Sequence, residues 1–322
     1  MKLLKRLLCV TLAAMTIATA IPAASAASEQ AQLYPLILHI DGLRVYALNE
    51  KQQEVPAILY HGSFYLPVRT AGEWLGKTVG WNNTTQTVSL SGSVAPSFYT
   101  APPTVSSFPY SYGEHINITP HQTIAILLDG QPQTFYTSSG TQIYPLLYRG
   151  TTYLPLRSIA SLLDMQPAWR NATAQKAPMI SLYTPMTEPQ SIACLQYLTT
   201  VDAQAKAYTD VAAGLMSIRN DKTALKAQLV EMQNILDKLL AMQLPDAPYL
   251  QRSGNTIANA AAEDLALLTD AIEKLQSHTV EELFQLEHGQ AVGVLMQIAT
   301  RSNLATTVNT LLDNFQRVGL QT

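Results

Sequence analysis

The sequence predicts an α+β protein: two small domains, each an antiparallel sheet with one helix, followed by an all-α antiparallel helical bundle. Three observations predict it. A long stretch of the first half matches itself when shifted by 88 residues. After about residue 187 the apolar residues recur at three- and four-residue steps, the helical period. Composition divides at the same place. All three Trp and twelve of fifteen Tyr lie before it, and eight basic and eight acidic residues over 27–186 become nine and fifteen beyond.

Each repeat reads the same way. Ile37 to Ile40, or Ile124 to Leu128, is a short apolar strand entering an Asp-Gly turn at Asp41-Gly42 or Asp129-Gly130. Tyr60-His61-Gly62-Ser63-Phe64-Tyr65-Leu66-Pro67-Val68-Arg69 then falls on Tyr148-Arg149-Gly150-Thr151-Thr152-Tyr153-Leu154-Pro155-Leu156-Arg157. The residue before each proline is held extended, so a helix should begin just after it. Val68, Ala71, Trp74 and Leu75 share one face, as do Leu156, Ile159, Leu162 and Leu163. Gly76 is a helix stop, replaced by Asp164-Met165 in the second repeat. A closing pair of strands runs through Trp81 or Trp169, turns at Asn82-Asn83 or Arg170-Asn171, and returns on Val88 to Leu90 or, after a four-residue insertion, Ile180 to Leu182. Each unit of about 60 residues is near the lower limit for an independent core.

The pattern apolar-Asp-Gly, then Gly-x-x-Tyr-Leu-Pro-apolar-Arg, an amphipathic helix, and Trp-Asn-x-x-Thr before a final strand resembles the copper amine oxidase N-terminal-like domain, or stalk domain. The resemblance covers residues 33–92 and 119–184, two tandem copies separated by a Pro/Ser/Tyr-rich linker over 93–118. It implies an appended extracellular module on secreted bacterial proteins, with copper and oxidase chemistry residing elsewhere.

The N-terminus predicts export. Lys2, Lys5 and Arg6 precede an apolar run from Leu7 to Ile21, and Ala24-Ser25-Ala26 offers a cleavage site, so residues 1–26 read as a signal peptide. The run is too short for a membrane span of roughly 20 residues. No span is expected after cleavage. Removal of the three basic residues leaves 17 basic against 23 acidic, a net charge of −6 that argues against a nucleic-acid partner. Cys9 leaves with the signal, and Cys194, among Ile192, Leu195 and Leu198, reads as a small buried hydrophobe.

No catalytic pattern stands out. Gly-x-Ser-x-Gly, His-Glu-x-x-His, Walker-type and Gly-x-Gly-x-x-Gly motifs are absent. The six histidines, His39, His61, His115, His121, His278 and His288, are scattered, although His115 and His121 flank a loop. Two imidazoles without a third kind of ligand make a poor transition-metal site. No catalytic residue, metal or cofactor is therefore expected. The binding candidates are Arg69 and Arg157 as an anion or sugar contact beside Tyr65 and Tyr153; the alternative for both arginines is a bond within their own domain. Trp81 and Trp169 read as core residues.

The helical part, 187–320, has breaks at Asn220-Asp221, Pro245 to Pro248, Ser277 to Thr279 and near Gly289, giving about four main helices. Thr279-Val280-Glu281-Glu282 reads as a capping box. The combined expectation is a secreted, non-catalytic cell-envelope or matrix protein. Its repeats would bind or space, with a cell-wall polymer or envelope protein as partner, and its bundle would engage a protein or self-associate. The alternative is an extracellular enzyme with its site in the helical half and the repeats as a targeting stalk.

Overall fold

The computed structural model describes residues 28–319 except 35, 50, 104–110, 112, 172–177 and 301–302. The signal peptide, Cys9, Thr173 and the Phe108-Pro109-Tyr110 part of the linker lie outside the described residues. The architecture is α+β, with strands in the first half and helices in the second.

The first repeat runs β1 (Glu29–Tyr34), β2 (Ile37–Ile40), β3 (Leu43–Val45), β4 (Ala57–Tyr60), β5 (Ser63–Pro67), α1 (Val68–Leu75), β6 (Thr78–Asn82) and β7 (Thr87–Ser91). The second follows the same order: β8 (His115–Pro120), β9 (Ala125–Leu128), β10 (Gln131–Gln133), a small pair β11 (Phe135–Tyr136) and β12 (Gln142–Ile143), β13 (Leu146–Tyr148), β14 (Thr151–Pro155), α2 (Leu156–Leu162), β15 (Gln166–Arg170) and β16 (Met179–Tyr183). Both Asp-Gly turns have positive φ at both residues (45° and 80°, 47° and 81°), the two-residue turn that matches strand twist. Both helices start directly after proline, and Gly76 stops α1 in the left-handed region at φ 65°.

The repeats are not separate bodies. A six-stranded closed barrel has the order β1-β4-β5-β14-β13-β8, three strands from each repeat. Across its seam Leu66 pairs with Leu154, each repeat's equivalent of the other, so a local two-fold relates the halves. Two four-stranded sheets extend the exchange. In β10-β9-β7-β6 the closing hairpin of the first repeat accepts the opening hairpin of the second, and β15-β16-β2-β3 is the reverse. Pairing within a repeat is antiparallel, while the joins β7–β9 and β16–β2 are parallel. The exchange covers edges that a lone 60-residue unit would expose. It also gives one shared core, in which Leu38, Trp74 and Leu90 of the first repeat pack with Leu154, Ile159 and Leu182 of the second. The linker does not stand off as a spacer where it is described: Phe98 stacks on Trp74, and Tyr46 N–H donates to the Tyr99 carbonyl.

The helical half consists of α3 (Glu188–Gly214), α4 (Lys222–Leu240), α5 (Pro248–Ser277), the short α6 (Val280–Leu283), a hairpin β17 (Leu286–Glu287) and β18 (Gln290–Ala291), α7 (Val294–Thr300) and α8 (Asn303–Gly319). Four are long, as the breaks predict. Thr187 and Thr279 each close a capping box. The break near Gly289 is a hairpin turn in which His288 and Gly289 both have positive φ, and Leu286 and Val292 beside it are exposed. Cys194 is fully buried, and burial pushes its thiol up to about 12. No helix among the described residues is long and apolar enough to cross a membrane.

The halves join at the first repeat's Asp41-Gly42 turn. The buried Asp41 carboxylate accepts from Thr184 N–H (2.8 Å), Thr184 Oγ1 (3.0 Å) and Arg252 Nε on α5 (3.2 Å). Gly42 packs so closely on Tyr249 and Leu311 that a side chain would collide with both. Arg252 also lies over the Phe98 ring at 4.4 Å, tying linker, strands and bundle together. The equivalent turn of the second repeat is open. Asp129 bonds the Lys77 ammonium at 2.6 Å on the surface, and nothing lies near Gly130.

Candidate functional site

Strand exchange creates two grooves at equivalent positions of the two-fold. One, of about 720 Å³, is walled by Arg69 and Trp81 of the first repeat and by the Arg149-to-Tyr153 turn of the second. The other, of about 640 Å³, is walled by Arg157 and Trp169 of the second repeat and by the His61-to-Phe64 turn of the first. Each groove therefore needs both repeats. We name them the Arg69 and Arg157 grooves.

The local folding rules that make the repeat also place these side chains. Arg69 and Arg157 are the second residues of α1 and α2, and both are exposed. His61-Gly62 and Arg149-Gly150 are tight turns with positive φ at both residues, which hold the turn side chains out over the groove walls. Trp81 and Trp169 sit on β6 and β15, the outer strands of the two four-stranded sheets.

The tryptophans differ from their expected role as core. Trp81 is 50% exposed and Trp169 is 44% exposed. On an outer strand next to a groove no covering layer buries them. Trp169 stacks on Phe64 across the repeats (centroids 5.0 Å apart) and donates from Nε1 to Asn171. At the position matching Phe64 the second repeat has Thr152, so this cross-repeat stack has no counterpart at Trp81.

The tyrosine candidates are placed differently from the arginines. Tyr65 is 2% exposed and Tyr153 is 5% exposed, both with rings in the barrel interior. Burial pushes each hydroxyl up to about 12. Tyr65 is a core residue rather than a binding contact. Tyr153 borders the Arg69 groove, so that groove holds an arginine of one repeat and a tyrosine of the other. Burial raises the Glu73 carboxyl above its usual range, and the charge of Arg69, one turn back on α1, partly offsets that rise.

The two grooves differ in charge. Lys51, Arg69 and Arg149 all line the Arg69 groove together with His121, and none of the described residues lining it is acidic. The Lys51 loop is braced: Asn49 Oδ1 accepts from the N–H groups of Lys51 and Gln53, and Asn49 Nδ2 donates to Gln53 Oε1. Arg149 lies 5.3 Å from the Tyr148 ring. The Arg157 groove holds one arginine and His61, whose ring stacks on Tyr60 and reaches Glu29 at 4.0 Å; its other walls carry Tyr34, Tyr136 and Ser138.

The histidines do not fit a copper site. His115 starts β8 and His121 follows its end, so the two stand about 20 Å apart by strand rise. His39 is buried between Arg44 and Arg170, and burial followed by those charges pushes it down to about 4. His288 lies in the β17–β18 turn. Among the described residues no group of three or more His, Cys, Asp or Glu gathers to hold a metal.

No curated protein and no solved structure matches the chain. Residues 47–177 match the family model of the copper amine oxidase N-terminal domain in a single span that begins within the first repeat and ends within the second. The chain thus carries one such domain, and its match runs across the interleaved pair.

Proposed function

We propose that this is an exported, non-catalytic protein of the cell envelope or extracellular matrix. The interleaved domain is its binding unit, and the acidic helical half engages a protein partner. In this reading the 88-residue repeat represents two copies of one ancestral stalk-like unit. The observation that carries it is the pair of equivalent grooves, each presenting an arginine at a helix start and a half-exposed tryptophan on an outer strand. Pre-set side chains bind at low ordering cost, and an open groove suits an extended chain better than a small enclosed ligand. The predicted signal peptide supports export, and the lack of a recognisable catalytic motif supports binding rather than turnover.

The test is sedimentation of the chain lacking residues 1–26 with purified bacterial cell-wall and envelope fractions. Retention is expected. Its reduction on replacing both groove tryptophans (Trp81→Ala with Trp169→Ala) would locate it in the grooves. Absence of retention on every fraction would overturn the reading.

A further inference from the structure

We propose that the Arg69 groove is a site for an anionic glycan, a chain of sugar rings carrying carboxylate or phosphate groups. This deepens the binding role proposed above and rests on it. Three cationic residues line the groove from three separate elements: Lys51, whose N–H donates to Asn49 Oδ1, Arg69 from α1 and Arg149 from the tight turn before β14. A cleft lined by one sign of charge focuses its field and draws in the opposite sign. Guanidinium groups match the planar forks of carboxylate and phosphate.

Charge alone would suit any polyanion. The remaining lining narrows the class. Trp81 offers a half-exposed indole to the groove, a flat apolar surface for the C–H face of a sugar ring. Asn83 and Gln86 beside it supply amide donors and acceptors for ring hydroxyls. The turn that carries them is braced: Asn82 Oδ1 accepts from Thr84 and Thr85 N–H, and Gln86 Nε2 donates to the Asn83 carbonyl and lies 3.4 Å from Asn83 Oδ1, leaving Gln86 Oε1 and Asn83 Nδ2 for a ligand. One aromatic face flanked by amides, in a groove that also carries three cations, fits a sugar chain bearing acid groups. A single-stranded nucleic acid would call for several stacking rings in succession.

The experiment is calorimetric titration of the chain lacking residues 1–26 with hexagalacturonate, its neutral methyl ester, phosphopentamannose and poly-glutamate, at low and high salt. Either acidic sugar should bind and weaken with salt; which one binds identifies the acid. The ester and poly-glutamate should bind at least about tenfold more weakly. Lys51→Gln and Arg149→Asn should each weaken the acidic sugar about tenfold. Asparagine is chosen at 149 because it tolerates the left-handed backbone there. Trp81→Ala should abolish measurable binding, whereas Arg157→Gln in the other groove should leave it unchanged.

Equal binding of ester and acid, equal binding of poly-glutamate, no binding of either acidic sugar, or indifference to Lys51→Gln together with Arg149→Asn each overturns the assignment. The two levels of the argument separate cleanly. If wall fractions still retain the Lys51→Gln, Arg149→Asn chain in full, the binding role stands and this site falls. If no fraction retains the unmodified chain, the binding role itself has failed.

Discussion

The Arg69 and Arg157 grooves lie at matching positions of the local two-fold, yet their chemistry differs. Both keep an arginine at the helix start and a tryptophan on an outer strand. Around that shared pair, one groove has Lys51 and Arg149. The other has His61 and Phe64 on its turn, and Phe64 stacks on its tryptophan. The comparison separates two kinds of position. The Asp-Gly turns, the glycine of the second turn, the proline at helix entry and the Tyr-Leu-Pro segments of the β5–β14 seam are the same in both repeats. Residues projecting from those turns are not, and they are the ones free to define a ligand.

The largest test severs the comparison. Because each groove takes walls from both repeats, residues 28–92 expressed alone should not fold as a monomer. Circular dichroism with light scattering should show an unfolded chain or a symmetric dimer; a folded monomer of the first repeat would contradict the exchanged topology.

Next in size is the difference between the two Asp-Gly turns. Asp41→Ala removes three hydrogen bonds to a buried carboxylate and should cost about 3 kcal/mol. Asp129→Ala, at the equivalent surface turn, should stay within about 1 kcal/mol. Urea unfolding of both variants checks this, and equal losses would mean the bundle does not anchor on the first repeat.

Acid should also act on one side of the two-fold. His39 lies in β2 opposite Ser181 of β16, in the sheet beneath the Arg157 groove, while its counterpart beneath the Arg69 groove is Leu127. Burial first, then Arg44 and Arg170, lowers the His39 pKa from 6.5 to about 4. As pH falls below 6.5 the unfolded chain takes up a proton that the folded chain refuses, so stability is lost down to about pH 4. The full loss is on the order of 3 kcal/mol. Hydrogen exchange at pH 4.5 should rise in β2 and β16 more than in β7 and β9, and His39→Leu should abolish the difference. Equal exchange in the two sheets would refute it.

The smallest effect concerns the tryptophans. Trp169→Ala breaks the stack on Phe64 and should cost about 1 kcal/mol. Trp81→Ala should change stability by no more than about 0.5 kcal/mol. Thermal denaturation distinguishes them, and a reversed order would place Trp81 in the core after all.

What could be read from the chain follows the range of each physical rule. The Asp-Gly turns, the helices after Pro67 and Pro155, the Gly76 stop and the Thr279 capping box all rest on a few consecutive residues, so the sequence carries them openly. Which strand pairs with which across the repeats rests on no local signal. Val88-Ser89-Leu90 reads as a closing strand whether its outer neighbour is solvent or β9. That one unknown also hid the site. A tryptophan on a strand looks like core until the strand proves to be an outer one, and Arg69 was set beside Tyr65 because both lie in the same repeat. The signal that was available was difference rather than likeness: Phe64 against Thr152, and His61 against Arg149, mark the groove-facing turns.

The exchanged strands have a consequence for how such a molecule could arise. A single repeat that can finish its sheets only with a second copy is a homodimer by construction, and its two grooves must be identical. Joining the copies in one polypeptide replaces a bimolecular encounter with a tethered one, at an effective concentration on the order of millimolar. It also ends the compulsory identity of the halves. One turn can then be given over to holding a helical partner and one groove can collect charge, because a change in either copy is no longer made twice.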